Sequence, residues 1–237
     1  MTITSPHNDT LKEVRKLGGR RWRDKLVQFV AEGEDLLAAA DAAGWEPLAR
    51  LVAEGSGLDG EPVAPHLLAQ VSQLGSGTRA LGVYAQRWAP APAGPLCLAL
   101  WGLNDPGNVG TALRAALAFD AASVALGPGT TDPYGPKAVR ASMGAIFSVP
   151  VVRVRSVEEL PGRRVALAAR AGVELHELAP GAVSLVVGAE REGLPQEVVA
   201  ACDEVAHIPI ASESLNAAMA ATVALYETSR HIGSGAA

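Results

Sequence analysis

"LCLALWGLNDPGNVGTALRAALAFD", Leu96–Asp120, decides the fold class. Its opening residues are apolar without alternation, as in a strand buried on both faces of a parallel sheet. Asp105-Pro106-Gly107 reads as a turn and Asn108 as the N-cap of a helix. Leu113 and Leu117 recur at helical spacing and are expected on the inner face. Strand, turn and helix in that order make a βα unit. "SVALG", "VPVVRV", "RVALAA" and "VSLVVG" repeat the strand signal, and "DEVAHIPI" repeats it more weakly. The fold class expected for residues 96–237 is therefore α/β with a largely parallel sheet.

Upstream, "WAPAPAGP" (Trp88–Pro95) marks a boundary, because its prolines exclude helix and favour an extended linker. Before it, strands are expected at "LVQFV" (Leu26–Val30), "LARLVAE" and "RALGVYAQ". They alternate with helices at "GEDLLAAADAAG", ending at Gly44, and "PHLLAQVSQLG", with Pro65 in its first turn. This predicts a small α/β domain over 23–87, preceded by a basic arm, 1–22. Residues 1–25 hold seven basic side chains against three acidic ones, a local +4 in a chain of net charge −5. Leu11, Val14 and Leu17 form an inner stripe, with Lys12, Arg15 and Lys16 opposite. "RRWR" sets Trp22 among Arg20, Arg21 and Arg23, a stacking platform for a base beside phosphate-binding charges.

The remaining composition excludes more than it assigns. No apolar window is long enough for a membrane span, and the N-terminus lacks the order of a secretory signal. Cys97 and Cys202 are unpaired in pattern, and the five histidines lack metal-ligand spacing. A reducing, cytoplasmic setting without a metal site is expected. His207 reads as a strand-end residue of structural role.

Three strand-end loops carry residues that plain structure explains incompletely. In "DPGNVGTALRA", Gly110 weakens a helix unless something approaches it closely, and Arg114 follows on the same face. In "LVVGAEREGLP", Gly188 permits close backbone approach and Glu190 follows; the spacing is not the G-x-G-x-x-G of dinucleotide-binding units. In "IPIASESLNAAMAATVALYETSR", Ser214 reads as an N-cap and Leu215, Met219, Val223 and Tyr226 as the apolar face. The alanine-rich side is expected to be enclosed as well.

Together these loops resemble the three motifs of the SpoU/TrmH family of RNA ribose 2′-O-methyltransferases, of the SPOUT class. The similarity runs over most of Leu96–Ser229, in order. The lead-in "LKEVRKLGGRRWRDKLVQFVAEGEDLLAAA" resembles the family's RNA-binding extension. The resemblance implies a parallel-sheet domain with a trefoil knot, S-adenosylmethionine as methyl donor, and a homodimer. Gly188, Ile208 and Leu215 would line the cofactor pocket. Arg114 would be the catalytic arginine, with Asn108, Glu190, Ser214 and Asn216 as companions. Lys12, Arg15, Lys16, Arg20, Arg21 and Arg23 would contact RNA, ribosomal RNA ahead of transfer RNA. The alternatives are a transfer-RNA enzyme and a non-catalytic RNA-binding protein on the same fold. The segment "IASE" between Pro209 and Ser214 is shorter than is common in the family and lacks its usual glycine.

Overall fold

The computed structural model describes residues 2–73 and 77–233. The first part holds α1 (Asp9–Leu17), α2 (Arg20–Leu26), β1 (Gln28–Glu32), α3 (Glu34–Ala42), β2 (Ala49–Ala53), β3 (Glu61–Val63), α4 (Pro65–Val71) and β4 (Ala80–Ala85). Its sheet runs β1-β4-β2-β3, with β4 antiparallel to both neighbours and β3 parallel to β2. The second part holds β5 (Leu96–Leu100), α5 (Pro106–Ala118), β6 (Ser123–Leu126), α6 (Pro136–Ala141), β7 (Val151–Arg153), β8 (Arg163–Ala168), β9 (Val173–Glu174), β10 (Val183–Val187), α7 (Gln196–Ala200), β11 (Glu204–His207) and α8 (Ala217–Gly233). Its seven strands are parallel, in the order β7-β6-β5-β10-β8-β11-β9. The expected α/β class and parallel sheet are present.

Several expectations shift. The first strand starts at Gln28 rather than Leu26, because α2 runs through Leu26 and Val27 turns the chain in the left-handed region, φ 54°. Strand β3 was not anticipated; Pro62 disguises it, and an edge strand tolerates proline. Helix α4 ends at Val71, and the end of the helix expected there, Leu74–Gly75, lies outside the described residues. Residues 2–22, within the expected basic arm or helix, pack on the small domain. Ile3 bridges Val63, and α1 sinks Leu11, Val14 and Leu17 into a core with Leu51, Leu67 and Leu68.

The linker is strapped down rather than free. Trp88 packs edge-on to Tyr134, the Ala89 amide donates to Val151 O, and Ala93 exchanges hydrogen bonds with the Ser123 hydroxyl. One apolar cluster crosses the boundary, with Phe29, Trp45 and Tyr84 packed on Tyr134 and Phe147. The Trp45 indole donates to Phe147 O at 2.8 Å. Beside it, Arg23 pairs with Asp132 at 2.8 Å and donates to Leu17 O and Gly18 O. These contacts fix the small domain against the loops above β6.

Helix α8 inverts the expected faces. Ala217, Ala218, Ala221, Ala224 and Leu225 are buried, while Met219, Val223 and Tyr226 are 62%, 39% and 49% exposed. Small side chains let the helix backbone close on β5, β10 and α5, so alanine, not bulk, marks the inner face. Leu117 is likewise outward, 47% exposed, whereas Leu113 is buried as expected.

Gly110 answers to packing. A Cβ there would stand 2.4 Å from Ala138 O and 2.6 Å from Ala141 Cβ, both on α6. Alanine would gain at most about 1 kcal/mol of helix propensity. Displacing a packed helix backbone costs about 1–3 kcal/mol. Gly110→Ala should therefore lower the denaturation midpoint in urea, and a stabilised variant would contradict this packing account.

Candidate active site

The site forms where β5, β8, β10 and β11 end. Asp105, not Asn108, is the N-cap of α5. Its carboxylate accepts from the Gly107 amide at 2.6 Å, and Lys137 lies 3.2 Å away. The Gly107 hydrogen bond, then Lys137, hold the Asp105 carboxyl below the usual carboxylate range. Capping one turn earlier makes Asn108 the third helical residue, and its side chain is left to reach outward.

What it reaches is Glu190. The Asn108 amide nitrogen donates to Glu190 Oε1. Asn216 completes the cluster, donating to Asn108 Oδ1 at 3.2 Å and lying 3.4 Å from Glu190 Oε1. The other end of the Asn216 amide accepts from Ala218 and Met219 N–H, at 2.9 and 3.3 Å. Asn216 is thus the N-cap of α8, the role expected of Ser214, and it is aimed by that role. Three loops separated by 82 and 26 residues meet in one hydrogen-bonded cluster.

Beneath the cluster lies a cleft lined by Gly188, Ile208 and Leu215, the residues expected in the cofactor pocket, and also by Glu190 and Ser214, expected as companions of Arg114. Leu167, Ala168 and Ile210 complete the apolar wall and were not anticipated. The end of β8 was the available signal, since open sheets bind at strand ends. Gly188 serves close approach rather than an unusual angle. Its Cβ would fall 2.4 Å from the Gly193 carbonyl carbon and 2.5 Å from Leu194 N. Gly193, at φ 68°, turns the loop back on itself, and its amide donates to Ala189 O.

Arg114 is exposed on α5 and makes no hydrogen bond or ion pair among the described residues. It is not brought to the cluster within one chain. The basic residues divide. Lys12, Arg15, Lys16, Arg20 and Arg21 are at least partly exposed, although Lys12 pairs with Asp9 and Arg15 donates to Pro6 O. Arg23 is buried in its pair with Asp132, which removes it from any RNA-facing set. Lys16 and Lys25 both lie over Trp22, at 5.0 and 5.1 Å, so the indole already holds cations where a base was expected to stack. Among the described residues no cluster of potential metal ligands occurs, and no helix is long and apolar enough to cross a membrane.

The model of the SpoU rRNA Methylase family matches residues 95–226, the whole of the sheet and cleft just described. The chain belongs to the SpoU rRNA methylase family. Among relatives of this SpoU chain, the ribosomal RNA small subunit methyltransferase G 2 of Syntrophobacter fumaroxidans is 31% identical over 96% of the chain. The chain spans only about half of that relative, 49% of its length. The 23S rRNA (guanosine(2553)-2′-O)-methyltransferase RlmP of Bacillus subtilis is 27% identical, covering 94% of the chain and 97% of the relative. An AdoMet-bound rRNA methyltransferase from Sinorhizobium meliloti superposes with a TM-score of 0.87 at 29% identity, over 98% of each chain.

Proposed function

We propose that this chain is an S-adenosylmethionine-dependent RNA methyltransferase that modifies a ribose 2′-hydroxyl of ribosomal RNA. The observation that carries the reading is the convergence of Asn108, Glu190 and Asn216 at the mouth of the Gly188–Ile208–Leu215 cleft. An apolar wall with backbone groups and one carboxylate suits the donor, whose adenine ring presents apolar faces and whose sulfonium is cationic. Bound S-adenosylmethionine supplies an electrophilic methyl group. Gly188, Ile208 and Leu215 would hold it, and Glu190, kept in place by two amides, complements its positive charge. Asn216 spends its amide on the cluster and the helix cap, whereas Asn108 retains one N–H and one lone pair with which to position the ribose. Arg114 acts on the hydroxyl: a guanidinium is a permanent cation in proteins, so it stabilises the developing alkoxide and clamps phosphate, and the hydroxyl proton leaves to solvent water.

The homodimer belongs to the same reading. Leu117, Met219, Val223 and Tyr226 make an outward apolar strip on α5 and α8, and Phe119 packs on Tyr226 with ring centroids 5.7 Å apart. Such a strip is costly to leave in water, and a two-fold contact would cover it. Arg114 lies one turn before Leu117 and shares that face. The dimer therefore carries Arg114 to the partner's cluster, which explains its isolation within one chain. Tyr226→Glu with Met219→Lys should give a monomer by light scattering; a variant that stays dimeric would place the interface elsewhere. The trefoil knot expected from the resemblance is retained as part of the proposal, supported by β10 lying between β5 and β8. Ribosomal RNA as substrate places the enzyme in the cytoplasm.

The test is incubation with methyl-labelled S-adenosylmethionine and, separately, ribosomal and transfer RNA from cells lacking the protein. Label recovered as a 2′-O-methyl nucleoside from ribosomal RNA is the expected result. Label confined to transfer RNA would reassign the substrate. Cofactor binding without label in either pool would contradict the assignment to ribosomal RNA.

A further inference from the structure

A second concave surface, about 430 Å³ in volume, lies between α2 and the loops that follow β6 and β7. Arginines from distant parts of the chain line it: Arg20 on α2, Arg153 at the end of β7, and Arg155 just beyond. Asp24 is the acid shared between two of them, 3.6 Å from Arg20 and 3.7 Å from Arg153. Asp132 also lines the groove, but it is buried and already paired with Arg23. Nearby, Glu159 accepts from the Arg155 and Ser156 amides, and Glu158, Glu192 and Glu197 line the adjoining groove beside Arg155. The Arg155 guanidinium has no ion pair among the described residues. Three guanidinium groups against one shared carboxylate leave a surplus of positive charge.

Two further facts bear on its use. Arg153 is fixed, its guanidinium 4.2 Å from the Trp88 ring centroid, so that part of the groove needs little ordering to bind an anion. The groove is also continuous with the active site. Pro128, Gly129 and Arg155 line both this groove and its neighbour, and the neighbour shares Ala189 and Gly193 with the cofactor cleft. The basic lining ends at Arg155, where the glutamates of the neighbouring groove begin, so the anion-binding part of this surface is the groove beside α2.

We propose that Arg20, Arg153 and Arg155 form a phosphate track that holds the RNA backbone along the small domain, in the groove that adjoins the active-site loops. This rests on the reading of the chain as an RNA methyltransferase. Spaced guanidiniums along a groove match a polyanionic chain, and each phosphate they neutralise releases counterions and steepens the salt dependence of binding. Asp24 is a restraint on that track, since it competes for two of its three charges.

The experiment measures binding of unmodified ribosomal RNA as a function of salt, with S-adenosylmethionine binding recorded in parallel. The proteins are wild type, the double variant R20Q/R155Q, D24N, and R79E as an equal charge change elsewhere. Two lost phosphate contacts should lower the slope of log K against log salt by about 1.5 and weaken binding about tenfold at low salt. S-adenosylmethionine binding should persist, which separates a lost track from a lost fold. D24N should bind RNA more tightly than wild type, a gain that general destabilisation would not produce. A wild-type slope in R20Q/R155Q, an equal loss in R79E, or no gain in D24N would each overturn the track. Wild-type protein that binds S-adenosylmethionine but no RNA would instead overturn the reading beneath it.

Discussion

Arg114→Ala should cut methyl transfer by roughly 10²–10³-fold, the effect of removing one donor aimed at developing negative charge. S-adenosylmethionine affinity should change little, because the cofactor cleft does not include Arg114. A mixing experiment then locates the arginine. Glu190→Gln disables the cluster while leaving Arg114 intact, so R114A and E190Q proteins are each expected to be nearly inactive. If Arg114 serves the partner's site, a heterodimer of the two has one site with both groups present. Random reassortment makes half the dimers heterodimers, so about a quarter of wild-type activity should return. Should Arg114 serve its own chain, every site in the mixture lacks one group and nothing returns. Recovery near a quarter is the expected outcome, and its absence after verified subunit exchange would sink the cross-dimer arrangement.

That arrangement also shows which parts of the site were legible in the sequence. The α/β class and the parallel sheet were readable, because apolar runs without alternation that end in loops have few alternative explanations. Gly188, Ile208 and Leu215 were assigned to the cofactor pocket only through the resemblance to the family's motifs, and all three line the cleft. Capping was read less well. Asn108 and Ser214 are plausible caps by residue type, yet Asp105 and Asn216 take the roles. Sequence ranks such candidates alike, and only the path of the loop decides which oxygen meets the free amides. The same limit explains the inverted helix α8. Hydrophobic periodicity assigns the bulky stripe inward, but close approach of two backbones selects alanine there, and the bulky stripe is left outward. Arg23 was misread for a related reason. It stands among exposed arginines in "RRWR", and nothing in that string reveals that Asp132, 109 residues away, will cover it.

The Arg23–Asp132 pair carries the largest expected effect on stability. Their side chains are only 6% and 4% exposed, and the guanidinium also satisfies two carbonyls where α1 passes into α2. Arg23→Ala leaves Asp132 buried without its cation and strands those carbonyls. Breaking one side of a buried pair costs about 3–5 kcal/mol. For a chain of this size that is roughly a 10 °C fall in melting temperature. Arg23→Lys should recover only part of it, since an ammonium cannot span the carboxylate and both carbonyls as a planar fork does. Asp132→Asn should be milder than Arg23→Ala, because the cation keeps its two carbonyl partners. The order expected in thermal denaturation is wild type, then D132N, then R23A. An R23A protein as stable as wild type would mean that this contact does not hold the small domain in place. The phosphate track depends on that placement, since Arg20 lies less than one helical turn before Arg23 and reaches its groove only while α2 is docked.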